Sequence, residues 1–253
     1  MTPIAETCIQ VGPEVVAAGF PIERTLVSTL NDKQLAGLLQ KLHHDAELTD
    51  SKVASEMEAA GVSMEQAAAQ LIAKERDNYR ALYGSYAGTF LAISQDYGRF
   101  LYAMARACKA TQIVEFGTSM GISTLYLAAA LRDNGGGRLI GSELESSKAA
   151  FARSNLEAAG LADLVEIREG DALETLEDVG GDINFAFLDG AWSLYLPVLK
   201  LIEPHLCLGA LVLSENTFAE DYRAYVRHPV NGYIAHALAV DEGRGNEYAV
   251  RVG

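Results

Sequence analysis

Apolar positions along this chain follow two rhythms. From residue 33 to about residue 90 they recur at helical spacing, and Leu35, Leu38, Leu39 and Leu42 mark one face of KQLAGLLQKLHHDAEL. Thr29-Leu30-Asn31-Asp32 precedes that stretch as a start signal. A second helix is expected from near Ser51, and a third from near Ser63 through MEQAAAQLIAKERDNYRALYG. After SQDYGRFL (residues 94–101), which opens a further helix, the rhythm changes. Short apolar runs of strand length at 113–116, 138–143, 164–168, 183–189 and 210–216 alternate with helical patterns, and Gly160 suits a helix C-cap. That alternation predicts a mostly parallel sheet with helices on both faces. Residues 233–240 and 248–252, joined by the turn at 241–245, predict a closing antiparallel hairpin. The fold class expected is α/β and Rossmann-like: a seven-stranded sheet with a C-terminal hairpin. Residues 1–89 would form a helical arm, for capping or dimerisation, and residues 90–253 the main domain.

Composition narrows the function classes. A chain of 253 residues can hold one large α/β domain with an appendage. Its net charge of -14 argues against nucleic-acid or anionic-membrane partners, which select basic surfaces. Cys8, Cys108 and Cys207 are scattered, so neither a disulfide framework nor a zinc site is expected. The start of the chain lacks the pattern of a signal peptide, and no apolar run is long enough to span a bilayer. A cytoplasmic location is the expectation. His43 and His44 read as solvated surface residues. His228 and His236 are candidate bases by residue type alone, with His236 expected to be packed in a strand.

Candidate chemistry centres on QIVEFGTSMGISTL, residues 112–125. A buried strand runs into a glycine turn and then a helix start, which makes a nucleotide-binding corner. Gly117 and Gly121 flank Thr-Ser-Met with no third glycine in register, so the dinucleotide fingerprint is incomplete, and no phosphate loop is present. Acidic groups close five successive strands: Glu115, Glu143, Asp171, Asp189 and Glu215, the last followed by Asn216. Glu143 stands where a carboxylate accepts from ribose hydroxyls, a device that nicotinamide dinucleotide sites share. Gly170-Asp171-Ala172 is placed to edge an adenine ring. Asp189, Glu215 and Asn216 together form a hard-oxygen set suited to Mg²⁺.

The EFGTSMGIS motif resembles the first motif of class I S-adenosylmethionine (SAM) dependent methyltransferases. More narrowly it is similar to the catechol and caffeoyl-CoA O-methyltransferases, over roughly residues 90–253. The resemblance implies the SAM methyltransferase fold and SAM contacts at Glu115, Gly117, Thr118, Ser119, Gly121, Ser123, Glu143, Asp171, Ala172 and Asp189. It implies a divalent metal on Asp189, Glu215 and Asn216, a small catechol-like acceptor methylated on a hydroxyl, and a homodimer. Two positions depart from the family pattern. Glu215 stands for the usual Asp, and Trp192 stands where the family carries a base lysine. Asp189 and Trp192 are the candidate catalytic positions, Trp192 as an apolar wall beside the acceptor. A metal-independent O- or N-methyltransferase, an NAD-dependent oxidoreductase and a non-catalytic SAM-binding protein remain alternatives.

Overall fold

The structure, a computed structural model, describes residues 28–59, 61, 63–241 and 245–253. Cys8, the start of the chain compared with a signal peptide, and turn residues 242–244 lie outside the described residues. Among the described residues no helix is long and apolar enough to cross a membrane.

Seven strands form one sheet: β1 (Gln112–Phe116), β2 (Arg138–Glu143), β3 (Val165–Glu169), β4 (Ile183–Leu188), β5 (Leu206–Ser214), β6 (Tyr233–Ala237) and β7 (Glu247–Arg251). Their order is β3-β2-β1-β4-β5-β7-β6. The first five run parallel, whereas β7 lies antiparallel between β5 and β6. Chain order reverses between β1 and β4, and ligands of open α/β sheets bind at such a switch point, beyond the carboxyl ends of the strands.

The helices follow from the same patterning. α3 (Gln95–Ala107) starts at Ser94, whose hydroxyl accepts from the Tyr97 amide, and buries Tyr97 and Leu101. α4 (Ile122–Asp133) is buried continuously from Ile122 to Leu131, which explains its apolar composition all round. α5 (Ser146–Ala158) ends at Ala159, with Gly160 beyond it at φ +66°. The short α6 (Ala172–Thr175), α7 (Tyr195–Ile202) and α8 (Glu220–Arg227) complete the set that follows the sheet. One apolar cluster joins Tyr97, Leu101, Leu125 and Phe187, and a second joins Val114, Leu188, Tyr195 and Tyr222.

The arm departs from expectation in three places. α1 (Lys33–Ala59) is one helix, so no second helix begins at Ser51. The Ser51 hydroxyl donates back to the Leu48 carbonyl and that of Ser55 to the Ser51 carbonyl, so these residues sit within the helix without breaking it. α2 (Met64–Gly84) begins with a capping box between Ser63 and Gln66, then breaks at Asn78, whose φ of -161° is not helical. The Asn78 side chain accepts from the Ala81 amide at 3.0 Å and caps the second segment. Finally, His43 is buried, not solvated, and its Nε2 lies 3.2 Å from the Tyr126 hydroxyl. Position 43 shares the helical face of Leu39, and burial lowers its pKa, which favours the neutral ring. His44 is exposed as expected. His236 is exposed on edge strand β6, stacked on Tyr248, and is not packed inside the sheet.

Leu35, Leu39, Leu42 and Ala46 of α1 share the core cluster of α3 and α4. Gly98 makes the α3–α4 contact possible, because a Cβ there would stand 2.3 Å from the Tyr126 ring. Gly98→Ala is therefore expected to destabilise the protein by about 1–3 kcal/mol through overpacking, read as a lower midpoint in denaturant unfolding.

Candidate active site

The glycine turn after β1 is built from its own strand end. Glu115 is fully buried, and its carboxylate accepts from Thr118 Oγ1 at 3.0 Å, Ser123 Oγ at 2.7 Å and Thr124 Oγ1 at 2.6 Å. Burial raises its pKa against the pull of these three hydroxyls. Glu115 thus braces the turn from beneath and does not line the cleft above it. Gly117 and Gly121 hold φ of +93° and +88°, and Ser119 between them holds +47°. The Gly117 and Thr118 amides both donate to the Ser142 carbonyl at 3.1 Å, which ties the turn to the end of β2.

A cleft of about 830 Å³, counting its open mouth, runs along the carboxyl ends of β1, β2 and β4. Glu143 stands at one end of it. Its Oε2 accepts from the Ser119 amide at 2.7 Å and its Oε1 from the Glu145 amide at 2.8 Å, leaving one lone-pair direction on each oxygen. Burial raises the Glu143 pKa, opposed by the Glu145 amide and the Lys148 charge. Lys148 is buried in the same cleft, and burial lowers its pKa despite the nearby charges of Glu143, Asp50 and Glu145. Met120, Leu144 and Ala172 supply apolar surface beside this end, and Gly117, Thr118, Ser119 and Ser123 also line the cleft. Gly121 is not among the lining residues; it caps α4 and lets that helix approach Ala152, 3.1 Å from where a Cβ would stand.

The arm reaches the cleft at three points that no sequence pattern announces. Asp171 caps α6 through the Leu173 amide, and its Oδ2 accepts from Tyr79 and from the Arg80 guanidinium, both of α2. Burial would raise the Asp171 pKa, but the hydrogen bonds from Tyr79, Leu173 and Arg80 outweigh it and hold it below the ordinary value. Asp50 of α1 accepts from the Phe90 and Ala92 amides at 2.9 and 3.0 Å, framing Leu91 at φ +51°. Ser119 Oγ donates to the Phe90 carbonyl from the other side, so residues 90–93 are fastened over the turn. Glu75 of α2, fully buried, accepts from the Trp192 and Ser193 amides at 3.2 and 2.7 Å.

Asp189 lies at the opposite end of the cleft, beside Gly190, Ala191 and Leu194. Its amide donates to the Phe116 carbonyl at 2.8 Å. Glu215 and Asn216 follow β5 one strand away, and the Glu215 amide donates to the Leu188 carbonyl at 3.0 Å. The three oxygen donors therefore neighbour one another in the sheet, and Asp189 alone among them lines the cleft. The Asn216 side-chain Nδ2 donates to the Glu215 carboxylate. Among the described residues no three His, Cys, Asp or Glu side chains form a metal-holding group. The Trp192 ring packs on Phe218 with centroids 5.0 Å apart and is not among the lining residues. His228 and His236 are exposed and lie outside the cleft.

Residues 114–217 match a family model described as a methyltransferase domain. The chain is 34% identical over 138 residues to a catechol O-methyltransferase of Niastella koreensis, covering 51% of this chain and 60% of that protein. It is 29% identical over 133 residues to a caffeoyl-CoA O-methyltransferase of Pinus taeda, covering 50% of this chain and 51% of the other. The O-methyltransferase TomG from Streptomyces achromogenes, solved in complex with SAM, superposes with a TM-score of 0.59 at 26% identity, over 64% of this chain and 82% of that one. The chain spans about half the length of the curated relatives it matches. The sheet order and the glycine turn agree with these likenesses, which liken residues 114–217 to a methyltransferase domain. The similarity extends to catechol and caffeoyl-CoA O-methyltransferases, the group that the first motif resembles. These likenesses are to methyltransferases.

Proposed function

We propose that this chain is a SAM-dependent O-methyltransferase that methylates a hydroxyl of a small catechol-like acceptor. The observation that carries the reading is a single cleft spanning the Gly117–Gly121 turn, with Glu143 at one end and Asp189 at the other. The donor set suits the cofactor: Glu143 has lone pairs left for a ribose diol, and the adjoining surface is apolar. When bound, SAM supplies an electrophilic methyl group on a sulfonium. The protein's own part is positional. Glu143 holds the ribose, Met120, Leu144 and Ala172 flank the base, and residues 90–93 shield the reacting region from water.

The metal reading rests on chemistry of kind: two carboxylates and an amide oxygen, all hard donors, on neighbouring strand ends. Asp189, Glu215 and Asn216 would hold the ion, with Asn216 as the necessary third ligand and its contact to Glu215 exchanged for the metal. Mg²⁺ held there would lower the pKa of a chelated hydroxyl and orient vicinal oxygens. Trp192 in the lysine place favours a second reading, a metal-independent O- or N-methyltransferase. Residues 1–89 as an arm serving residues 90–253, a homodimer and a cytoplasmic location belong to the same proposal, the last suited to an acidic chain with three scattered cysteines.

Methyl transfer from labelled SAM to a panel of catechols, with Mg²⁺ and then with excess chelator, tests this directly. Turnover abolished by the chelator is the expected result. Turnover that survives chelation would remove the metal and leave the methyltransferase. Absence of SAM binding would end the whole reading.

A further inference from the structure

The second segment of α2 brings a phenol into the cleft, and a buried carboxylate fixes its polarity. Tyr83 lines the cleft, and its hydroxyl donates to Glu75 Oε1 at 2.8 Å. Glu75 is in turn anchored by the Trp192 and Ser193 amides, at the turn that follows Asp189. A phenol whose proton is committed to a carboxylate offers its remaining partners lone pairs only. Burial and the charges of Glu75, Asp189 and Tyr86 hold the Tyr83 pKa well above its ordinary value, so the proton stays on the phenol. The buried Tyr195 instead donates to the Glu215 carbonyl.

We infer that Tyr83, oriented by Glu75, is an acceptor-binding residue that takes a hydrogen bond from a hydroxyl of the methyl acceptor at the Asp189 end of the cleft. The inference rests on the methyltransferase reading and narrows its substrate class. An uncharged O–H donor fits a site that presents lone pairs. An ether leaves the Tyr83 oxygen unpaired, and a carboxylate meets both its lone pairs and the charge of Asp189. Glu75 is a positioning residue that acts through Tyr83. No proton changes hands in this step, so it stands with or without a metal.

The test is calorimetric binding of 1,2-dihydroxybenzene and 1,2-dimethoxybenzene to protein loaded with S-adenosylhomocysteine, in excess chelator so that no cation can select the diol. The wild-type chain should prefer the diol. Tyr83→Phe should weaken diol binding about three- to tenfold and leave the diether unchanged. Glu75→Gln keeps one acceptor oxygen, for the Ser193 amide, and turns an NH2 group towards the phenol in place of Oε1. The phenolic proton is freed, so the variant should tighten the diether and erase the preference. S-adenosylhomocysteine affinity should stay within twofold in both variants. A wild-type chain without the preference, or a Tyr83→Phe protein that retains it, would overturn the inference. So would a variant in which both ligands and the nucleoside weaken together, because that marks a structural role. Failure of the wild-type chain to bind S-adenosylhomocysteine would instead fell the methyltransferase reading on which the inference stands.

Discussion

Gly117→Ala is expected to remove the cofactor cleft and much of the protein's stability. A Cβ at Gly117 would lie 2.2 Å from the Asp189 carbonyl oxygen and 2.9 Å from the Gly190 Cα, both backbone atoms that no rotamer change can move. The residue also holds φ +93°, where an alanine is strained. Strain and overlap together should cost more than about 3 kcal/mol, since either alone costs about 1–3. Gly135→Ala separates the two contributions, because Gly135 holds φ +101° with nothing within 4 Å of where a Cβ would stand. Chemical denaturation should show a small loss for Gly135→Ala and a large one for Gly117→Ala, the latter with no measurable SAM binding. Equal midpoints for the two variants would show that β1 and β4 do not approach as closely as described.

Glu143→Ala should lower nucleoside affinity about a hundredfold. The substitution removes the acceptor of the Ser119 and Glu145 amides as well as the group offered to the ribose. Hydrogen bonds to a charged group contribute about 1.5–3 kcal/mol each, and every 1.4 kcal/mol is a factor of ten. Acidity should act in the same direction. Burial raises the Glu143 pKa, so lowering the pH through that raised value neutralises the carboxylate and weakens binding. For folding the sign is opposite. A carboxyl that holds its proton more tightly when folded stabilises the protein below its unfolded pKa, and that contribution is lost as the pH rises through the folded value. Calorimetric titration of S-adenosylhomocysteine at a series of pH values checks this: affinity should fall towards acid pH in the wild-type chain and stay flat in Glu143→Gln. A wild-type profile as flat as the variant's would take Glu143 out of the ribose site.

The two substitutions act on the part of the molecule most open to reading from the chain. The departures from expectation lie mostly in the arm. Its Leu35, Leu39 and Leu42 face is legible at helical spacing, yet His43 reads as a surface residue by its type although it lies four positions from Leu39. The break at Asn78 escapes the sequence pattern, because an asparagine inside a run of good helix formers is weak punctuation until its side chain is seen to cap Ala81. That break turns Tyr79 and Arg80 towards Asp171.

The sequence by itself determined the succession of strands, the glycine turn at 112–125 and the row of acidic strand ends. These are local consequences: apolar runs select strands, glycines permit positive φ, and the carboxyl end of each parallel strand falls where its apolar run stops. Tertiary structure decided what each of those acids does. Glu115 turns inward to three hydroxyls, Glu143 faces the cleft, and Asp171 is taken by the arm. It also decided that Glu75, 117 positions before Trp192, holds the turn after Asp189 and directs Tyr83. Such partners depend on where a helix docks, and no local periodicity encodes that, because docking is set by the summed burial of whole faces and not by any one residue's neighbours in the chain.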